Sequence, residues 1–318
     1  MSFHEVENLT EFLDEVKLKM LNITGSSNKN IIEISDYVLA NPGKFIRTQL
    51  VFIYGSVIDI EKKKLIELAA AAELIHLSTL IHDDIIDEAK IRRNKPTVIA
   101  KWGLKKAILY GDFLYTKTFQ ALNSLENTQI AEVLISCAEQ LIEGEFIQLQ
   151  NISDKSKDDY FEVIEKKTAI LFSGILECLG IHGKLVKEKI SFLKELGLNF
   201  GNAFQLNDDL ADFFDQLNSG KEKFKDLNEG KITYPIIITM SRADKDSKNN
   251  ISKLIEEKKF DAVFDEIEKN DGFNLTRLER DKAINNCIEY TKTLFKLDNV
   301  ELMESFLKNS LKAWIELS

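Results

Sequence analysis

Only three prolines, Pro42, Pro96 and Pro235, interrupt the 318 residues of this chain. Proline removes a backbone donor and clashes with the preceding helical turn, so the long runs between them hold nothing that must break a helix. Within those runs, apolar residues recur three and four apart. Leu65, Leu68, Ala69, Ala72, Ile75 and His76 form one series, and Leu134, Ala138, Leu141, Glu145 and Gln148 form another that turns polar at its end. Strand-like alternation and Asn-Gly turns are largely missing, and the reading is all-α. The periodicity predicts helices near 6–22, 30–40, 44–57, 61–88, 104–124, 128–150, 157–179, 185–217 and 232–241, with more to 317. Loops are expected at 22–30, 89–101, 151–156, 218–231 and 244–250. No Pro/Gly/Ser-rich linker and no repeat of fixed period divides the chain, so one helical domain over 1–318 is the simplest architecture.

Composition excludes several classes. Apolar residues are 44% and charged residues 30%, enough for a large core with a charged surface. The formal net charge of -10 argues against a nucleic-acid binder with a broad basic face. Cys137, Cys178 and Cys287 are widely spaced with no CxxC pair, which disfavours a zinc site or disulfide framework and suits three small core residues in a reducing cytoplasm. The polar start Met1-Ser2-Phe3-His4-Glu5 is unlike a signal peptide. The most apolar stretch, 65–86, is interrupted by Glu67, Glu73, His76, His82, Asp83 and Asp84, so no integral membrane segment is expected.

Two segments carry the same acidic pattern: Asp83-Asp84-Ile85-Ile86-Asp87 and Asp208-Asp209-Leu210-Ala211-Asp212. Residues three and four apart share a helix face, so each segment gathers three carboxylates. Such a group is self-repelling unless a cation sits among it. Hard oxygen ligands suit Mg²⁺, which takes its remaining ligands from water and substrate phosphates. Both triads follow apolar helix stretches, which places them at the rim of something buried. Lys44, Arg47, Arg92, Arg93, Lys167, Lys221 and Lys231 each fall beside a turn or helix end. Metal-loaded carboxylates facing such cations form a diphosphate site, where electrostatics stabilise a leaving pyrophosphate. His82 suits a core or supporting role, and His76, seven residues before Asp83, suits a polar contact to a phosphate.

These residues together resemble a family. In order, Gly43-Lys44-x-x-Arg47, Leu80 to Asp87 with Arg92-Arg93 after it, Gly111-Asp112-Phe113-Leu114, Gly144-Glu145, Lys167-Thr168, Phe204-Gln205-x-x-Asp208-Asp209-x-x-Asp212 and Gly230-Lys231-x-Thr233-x-Pro235 resemble the motif set of the trans-type polyprenyl diphosphate synthases. The resemblance is nearest to long-chain octaprenyl- or heptaprenyl-type enzymes. It implies a helical bundle of the isoprenoid synthase type with a deep central cavity, and a homodimer. It implies about three Mg²⁺ ions, with Mn²⁺ as a substitute, held with the allylic diphosphate by Asp83, Asp84, Asp87, Asp208, Asp209 and Asp212. Arg92, Lys221 and Lys231 would then contact the allylic diphosphate. Lys44, Arg47, His76 and Arg93 would hold isopentenyl diphosphate, and Lys167, Thr168 and Gln205 would line the reacting centre. The chain departs from the pattern at Thr48, where a proline often follows, and at Asn94, which replaces a common glycine and tolerates a left-handed backbone.

In the resembling family, short-product enzymes often carry an aromatic residue four or five positions before the first aspartate. Here those positions are Thr79 and Ser78, and the first triad lacks a two-residue insertion. Both features imply an open cavity and a product of about C30 to C40 for a quinone side chain. The alternative is a lower floor at Ile75, Phe113 or Phe119 and a shorter geranyl, farnesyl or geranylgeranyl product. A terpene cyclase would not need the second diphosphate site, and a non-catalytic subunit of a heteromeric synthase would be expected to lose aspartates that this chain keeps.

Overall fold

The computed structural model describes residues 3–40, 43–123, 125, 127–149, 156–214 and 223–312. The chain is helical nearly throughout, as the periodicity predicts. The first half comprises α1 (Phe3–Ile23), α2 (Lys29–Leu39), α3 (Ile46–Val57), α4 (Lys62–Ile86), the short α5 (Val98–Trp102), α6 (Leu104–Asn123) and α7 (Thr128–Leu149). The second comprises α8 (Lys157–Ile164), a π-helical turn (Glu165–Ala169), α9 (Ile170–His182), α10 (Lys187–Phe213), α11 (Lys225–Asn228), α12 (Tyr234–Arg242), α13 (Lys245–Glu256), α14 (Phe260–Lys269), α15 (Gly272–Leu294) and α16 (Leu297–Lys312).

Two long helices organise the rest. α4 is ringed by α1, α3, α5, α6, α7 and α9, and α10 by α8, α9, α12, α15 and α16. By length and composition α4 alone among the described helices could cross a membrane, yet most of its apolar window is buried against these neighbours. Leu65, Leu68, Leu74, Ile75 and the Ala69–Ala72 run are all buried, and the small alanines let neighbouring helices approach closely. A second apolar cluster, built on Phe213, Phe224, Ile236, Val263 and Phe273, packs the far end of α10 against α12, α14 and α15.

Three expectations need adjusting. Residues 244–250 are not a loop: Asp244 accepts a hydrogen bond from the Ser247 N–H and caps α13, whose polar sequence still places Ile251 in the core. The helix expected over 185–217 ends at Phe213, because Phe214 turns extended. The loop expected over 89–101 contains a small hairpin, β1 (Ile91–Arg92) paired antiparallel with β2 (Lys95–Pro96). Arg93 and Asn94 form its turn with φ of 51° and 60°, the left-handed pair that a two-residue hairpin demands. Asn94 therefore does the work of the glycine it replaces.

Candidate active site

Both acidic triads sit at the C-terminal ends of the two central helices. Asp83 and Asp84 lie in the last turn of α4, with Asp87 capping it, and Asp208, Asp209 and Asp212 lie in the last turns of α10. A helix C-terminus already carries partial negative charge. Neither helix has a basic residue in its last turn to offset it. Six carboxylates at two negative helix poles favour cations nearby.

The aspartates divide into two kinds. Asp84 is buried and accepts a 2.7 Å bond from Arg92 Nε, which the hairpin folds back onto it. Asp209 is 2% exposed and accepts from Tyr160 Oη at 2.7 Å, Gln205 Nε2 at 2.9 Å and the Tyr234 N–H at 3.0 Å. Its two oxygens are thus committed to protein donors, and burial pushes its carboxyl up to about 7 against those bonds. Asp83 and Asp87 are differently placed. Burial pushes Asp83 up to about 6, opposed by Lys167 and reinforced by Glu145. Asp87 accepts a 2.7 Å bond from Lys231 Nζ, which also bonds Glu229. Asp212 accepts from the Asp226 N–H at 3.3 and 3.2 Å. The segment 223–231 therefore touches both triads, its Lys231 on one and its Asp226 backbone on the other.

The residues expected at the reacting centre link to both triads, Lys167 electrostatically to Asp83 and Thr168 through Gln205 to Asp209. Lys167 and Thr168 lie on the π-helical turn, a form of backbone that recurs at functional sites. Lys167 is ion-paired with Glu145 of α7. Thr168 Oγ1 donates to Gln205 Oε1 at 3.0 Å, and Gln205 in turn donates to Asp209. Two glycines make room for the turn: a side chain on Gly144 would meet the Lys167 backbone nitrogen at 2.8 Å, and one on Gly201 would meet Ala169 Cα at 2.3 Å. Both close approaches demand a residue without Cβ.

A second, more basic cluster forms at the start of α3. Gly43 has φ +88°, and the Arg93 guanidinium lies 2.4 Å from where its Cβ would be, so only glycine fits there. The hairpin turn thereby lays Arg93 against Gly43, just before the start of α3. Arg47 is 8% exposed and stacks 4.6 Å over the Phe172 ring, and its Nε has no partner. Burial pushes its guanidinium down to about 10, so it remains a cation at neutral pH. His76 faces this cluster; burial first, and then Arg47, Arg93 and Arg92, hold it well below its ordinary range. Lys221 lies outside the described residues.

The positions expected to set chain length fall on two different stripes of α4. Ser78 is fully buried and donates to the Gly111 carbonyl of α6 at 2.9 Å. Ile75, one turn before it, is equally buried. Thr79 is half-buried and precedes Asp83 by four residues, hence shares its face. Sequence reasoning did not find Glu73, Tyr160, Phe172 or Tyr234 as members of the site. For Glu73 a signal existed, since a carboxylate interrupts the buried apolar stripe of α4; the aromatic residues carried none.

A family model described as Polyprenyl synthetase matches residues 28–269. The chain is 34% identical over 261 residues to octaprenyl diphosphate synthase from Escherichia coli (strain K12), covering 81% of each chain. It is also 34% identical over 248 residues to geranylgeranyl diphosphate synthase from Saccharolobus solfataricus, covering 75% of each. Its fold is similar to polyprenyl synthase from Caulobacter crescentus CB15 complexed with calcium and isoprenyl diphosphate, with a TM-score of 0.88, 25% identity and 96% of each chain covered. With the family model and these relatives matching most of its length, the chain belongs to the polyprenyl synthetase family.

Proposed function

We propose that this protein is a head-to-tail prenyltransferase. It condenses an allylic diphosphate, farnesyl or geranylgeranyl diphosphate, with successive isopentenyl diphosphate units. The product is a long all-trans polyprenyl diphosphate of roughly C30 to C40 that supplies a quinone side chain. The observation that carries this reading is the presence of two separate charged clusters, the acidic helix ends and the Lys44, Arg47 and Arg93 cluster, which suit two diphosphates. A cyclase acting on one diphosphate has no use for the second.

The family is metal-dependent, and the donor set here fits Mg²⁺. Among the described residues no three His, Cys, Asp or Glu side chains converge to hold an ion by themselves. Mg²⁺ held there would take its remaining ligands from water and substrate phosphates. Asp83, Asp87, Asp208 and Asp212 would hold about three such ions, while Asp84 and Asp209 fix Arg92, Gln205 and the Tyr234 backbone around them. Bound Mg²⁺ supplies charge neutralisation for the departing pyrophosphate.

The remaining roles belong to the side chains. Arg92, Lys231 and Lys221 hold the allylic diphosphate, and Lys44, Arg47, Arg93 and neutral His76 hold isopentenyl diphosphate. Lys167, Thr168 and Gln205 orient the two reactants and face the developing charge. The allylic C–O bond breaks with its electron pair leaving on pyrophosphate. The isopentenyl double bond then forms the new C–C bond. A proton is lost to the released pyrophosphate, which restores an allylic double bond. The equal identity to a geranylgeranyl enzyme supports a second reading, a C20 stop with the same chemistry.

Two finer assignments follow. Leu109 of α6 and Ile142, Phe146 and Leu149 of α7 are exposed apolar residues on helices packed side by side. Such a face suits a second copy of the chain, and the protein is a homodimer in this reading. The three cysteines are free and buried, which suits a reducing cytoplasm.

The test is incubation of purified protein with MgCl₂, farnesyl diphosphate and labelled isopentenyl diphosphate, with products sized by mass spectrometry. A ladder to about C30 or beyond is expected. A folded wild-type protein that adds no unit at all overturns the reading. Asp83→Ala should lower turnover roughly a thousandfold or more with its helical circular dichroism intact.

A further inference from the structure

α3 begins without a cap of its own. Its N-cap residue, Phe45, is left-handed at φ 51° and makes no side-chain cap. The first N–H groups of a helix have no intrahelical partner, so a buried start needs an acceptor from elsewhere. Glu73, 4% exposed on α4, supplies one: its Oε1 accepts from the Thr48 N–H at 3.0 Å and from Thr48 Oγ1 at 2.9 Å. Thr48 is the third helical residue, where an N-cap side chain would normally bond. Glu73 is thus a cap reaching across from the neighbouring helix, and its charge suits the positive end of α3.

The same carboxylate faces the cations of the cluster. It is the nearby anion for buried Arg47 and also interacts with Arg93. Burial raises the Glu73 carboxyl, opposed first by Arg47 and then by the two Thr48 bonds. Arg47, Arg93 and His76 crowd one small region, and a fixed carboxylate keeps such like charges assembled before a substrate anion arrives. Thr48 is fully buried, so without Glu73 its N–H and hydroxyl lose the acceptor that both use.

We propose that Glu73 is a positioning residue for isopentenyl diphosphate, acting through Thr48 and Arg47 to set the first turn of α3, with its Lys44 and Arg47, against the incoming diphosphate. This rests on the assignment of that cluster to isopentenyl diphosphate.

The experiment is steady-state kinetics on the full chain with Mg²⁺, varying isopentenyl diphosphate at saturating farnesyl diphosphate and then the reverse. Glu73→Gln should raise KM for isopentenyl diphosphate about tenfold, the loss of one charge-assisted contact, and change kcat and KM for farnesyl diphosphate by less. Glu73→Asp should recover part of the loss. Thr48→Val, which keeps Glu73 and the backbone N–H, should raise the same KM about threefold. In a Thr48→Pro background, with neither N–H nor hydroxyl to cap, Glu73→Gln should cost distinctly less than in wild type. An unchanged KM in Glu73→Gln, or an equal rise for both substrates, overturns the proposal. If Glu73→Gln does not fold, an unchanged KM in Thr48→Val overturns it instead. An active wild type with an unmoved KM sinks this inference alone, whereas an inactive folded wild type sinks the functional reading beneath it.

Discussion

His76, Thr79 and Asp83 follow one stripe of α4, and the first of them sits among three guanidinium groups. Its imidazole is held neutral in the fold but free to charge in the unfolded chain. As pH falls below the ordinary 6.5, the unfolded state takes the proton first and unfolding becomes easier. Asp83 and Asp209 act in the opposite sense. Their carboxyls, raised to about 6 and about 7, keep protons in the fold that the unfolded chain has released, so they favour folding as pH falls. The comparison that isolates His76 is therefore wild type against His76→Gln. In denaturant titrations from pH 7.5 to 5, the wild type should lose up to about 1.4 kcal/mol per pH unit relative to the variant. Parallel pH curves for the two proteins would contradict an imidazole held neutral in the fold.

The central helix presents different faces to different tasks, and α4 shows this at the level of one turn. Ser78 points its hydroxyl into α6, while Thr79 shares the face of Asp83. Thr79→Phe should place a ring below the reacting end of the substrate and shorten the product by at least one isoprene unit. Ser78→Phe has to displace the packed Gly111 region of α6, so its main effect should be a loss of stability of about 1–3 kcal/mol, as overpacking of a tight core costs. Product sizing and thermal unfolding of the two variants check both statements. A shortened product from Ser78→Phe with unaltered stability would reverse the assignment. The π-helical turn is a second example: it turns Lys167 towards Glu145 and Thr168 towards Gln205 because Gly144 and Gly201 admit its backbone on both sides.

For the whole molecule, the proposed homodimer puts the exposed apolar residues of α6 and α7 at its interface. Leu109 is 68% and Phe146 65% exposed, which is costly unless covered. A Leu109→Lys/Phe146→Lys variant should sediment as a monomer under conditions where the wild type is a dimer. Its helical spectrum should be retained, because neither side chain belongs to the core. A wild type that sediments as a monomer at micromolar concentration would remove the basis for this interface.

The all-α class, most helix spans and both acidic triads were legible in the sequence, because helical periodicity and i, i+4 spacing are local properties. Asp244 shows the limit even there, since its capping role turned a polar stretch into a helix start. What the sequence could not decide was which donors the fold brings to each carboxylate. Asp208 and Asp209 are neighbours of identical chemistry, yet the donors that commit Asp209 arrive from Tyr160 and Tyr234, 49 and 25 residues away. Likewise Glu73 read as one charge interrupting an apolar run, and only the packing of α3 against α4 set it under Thr48 and beside Arg47. The sequence determined that a long-helix bundle would carry paired carboxylate triads, since spacing along one helix suffices for that. The tertiary structure decided which protein donors each carboxylate meets, because burial and hydrogen-bond partners come from segments distant in the chain.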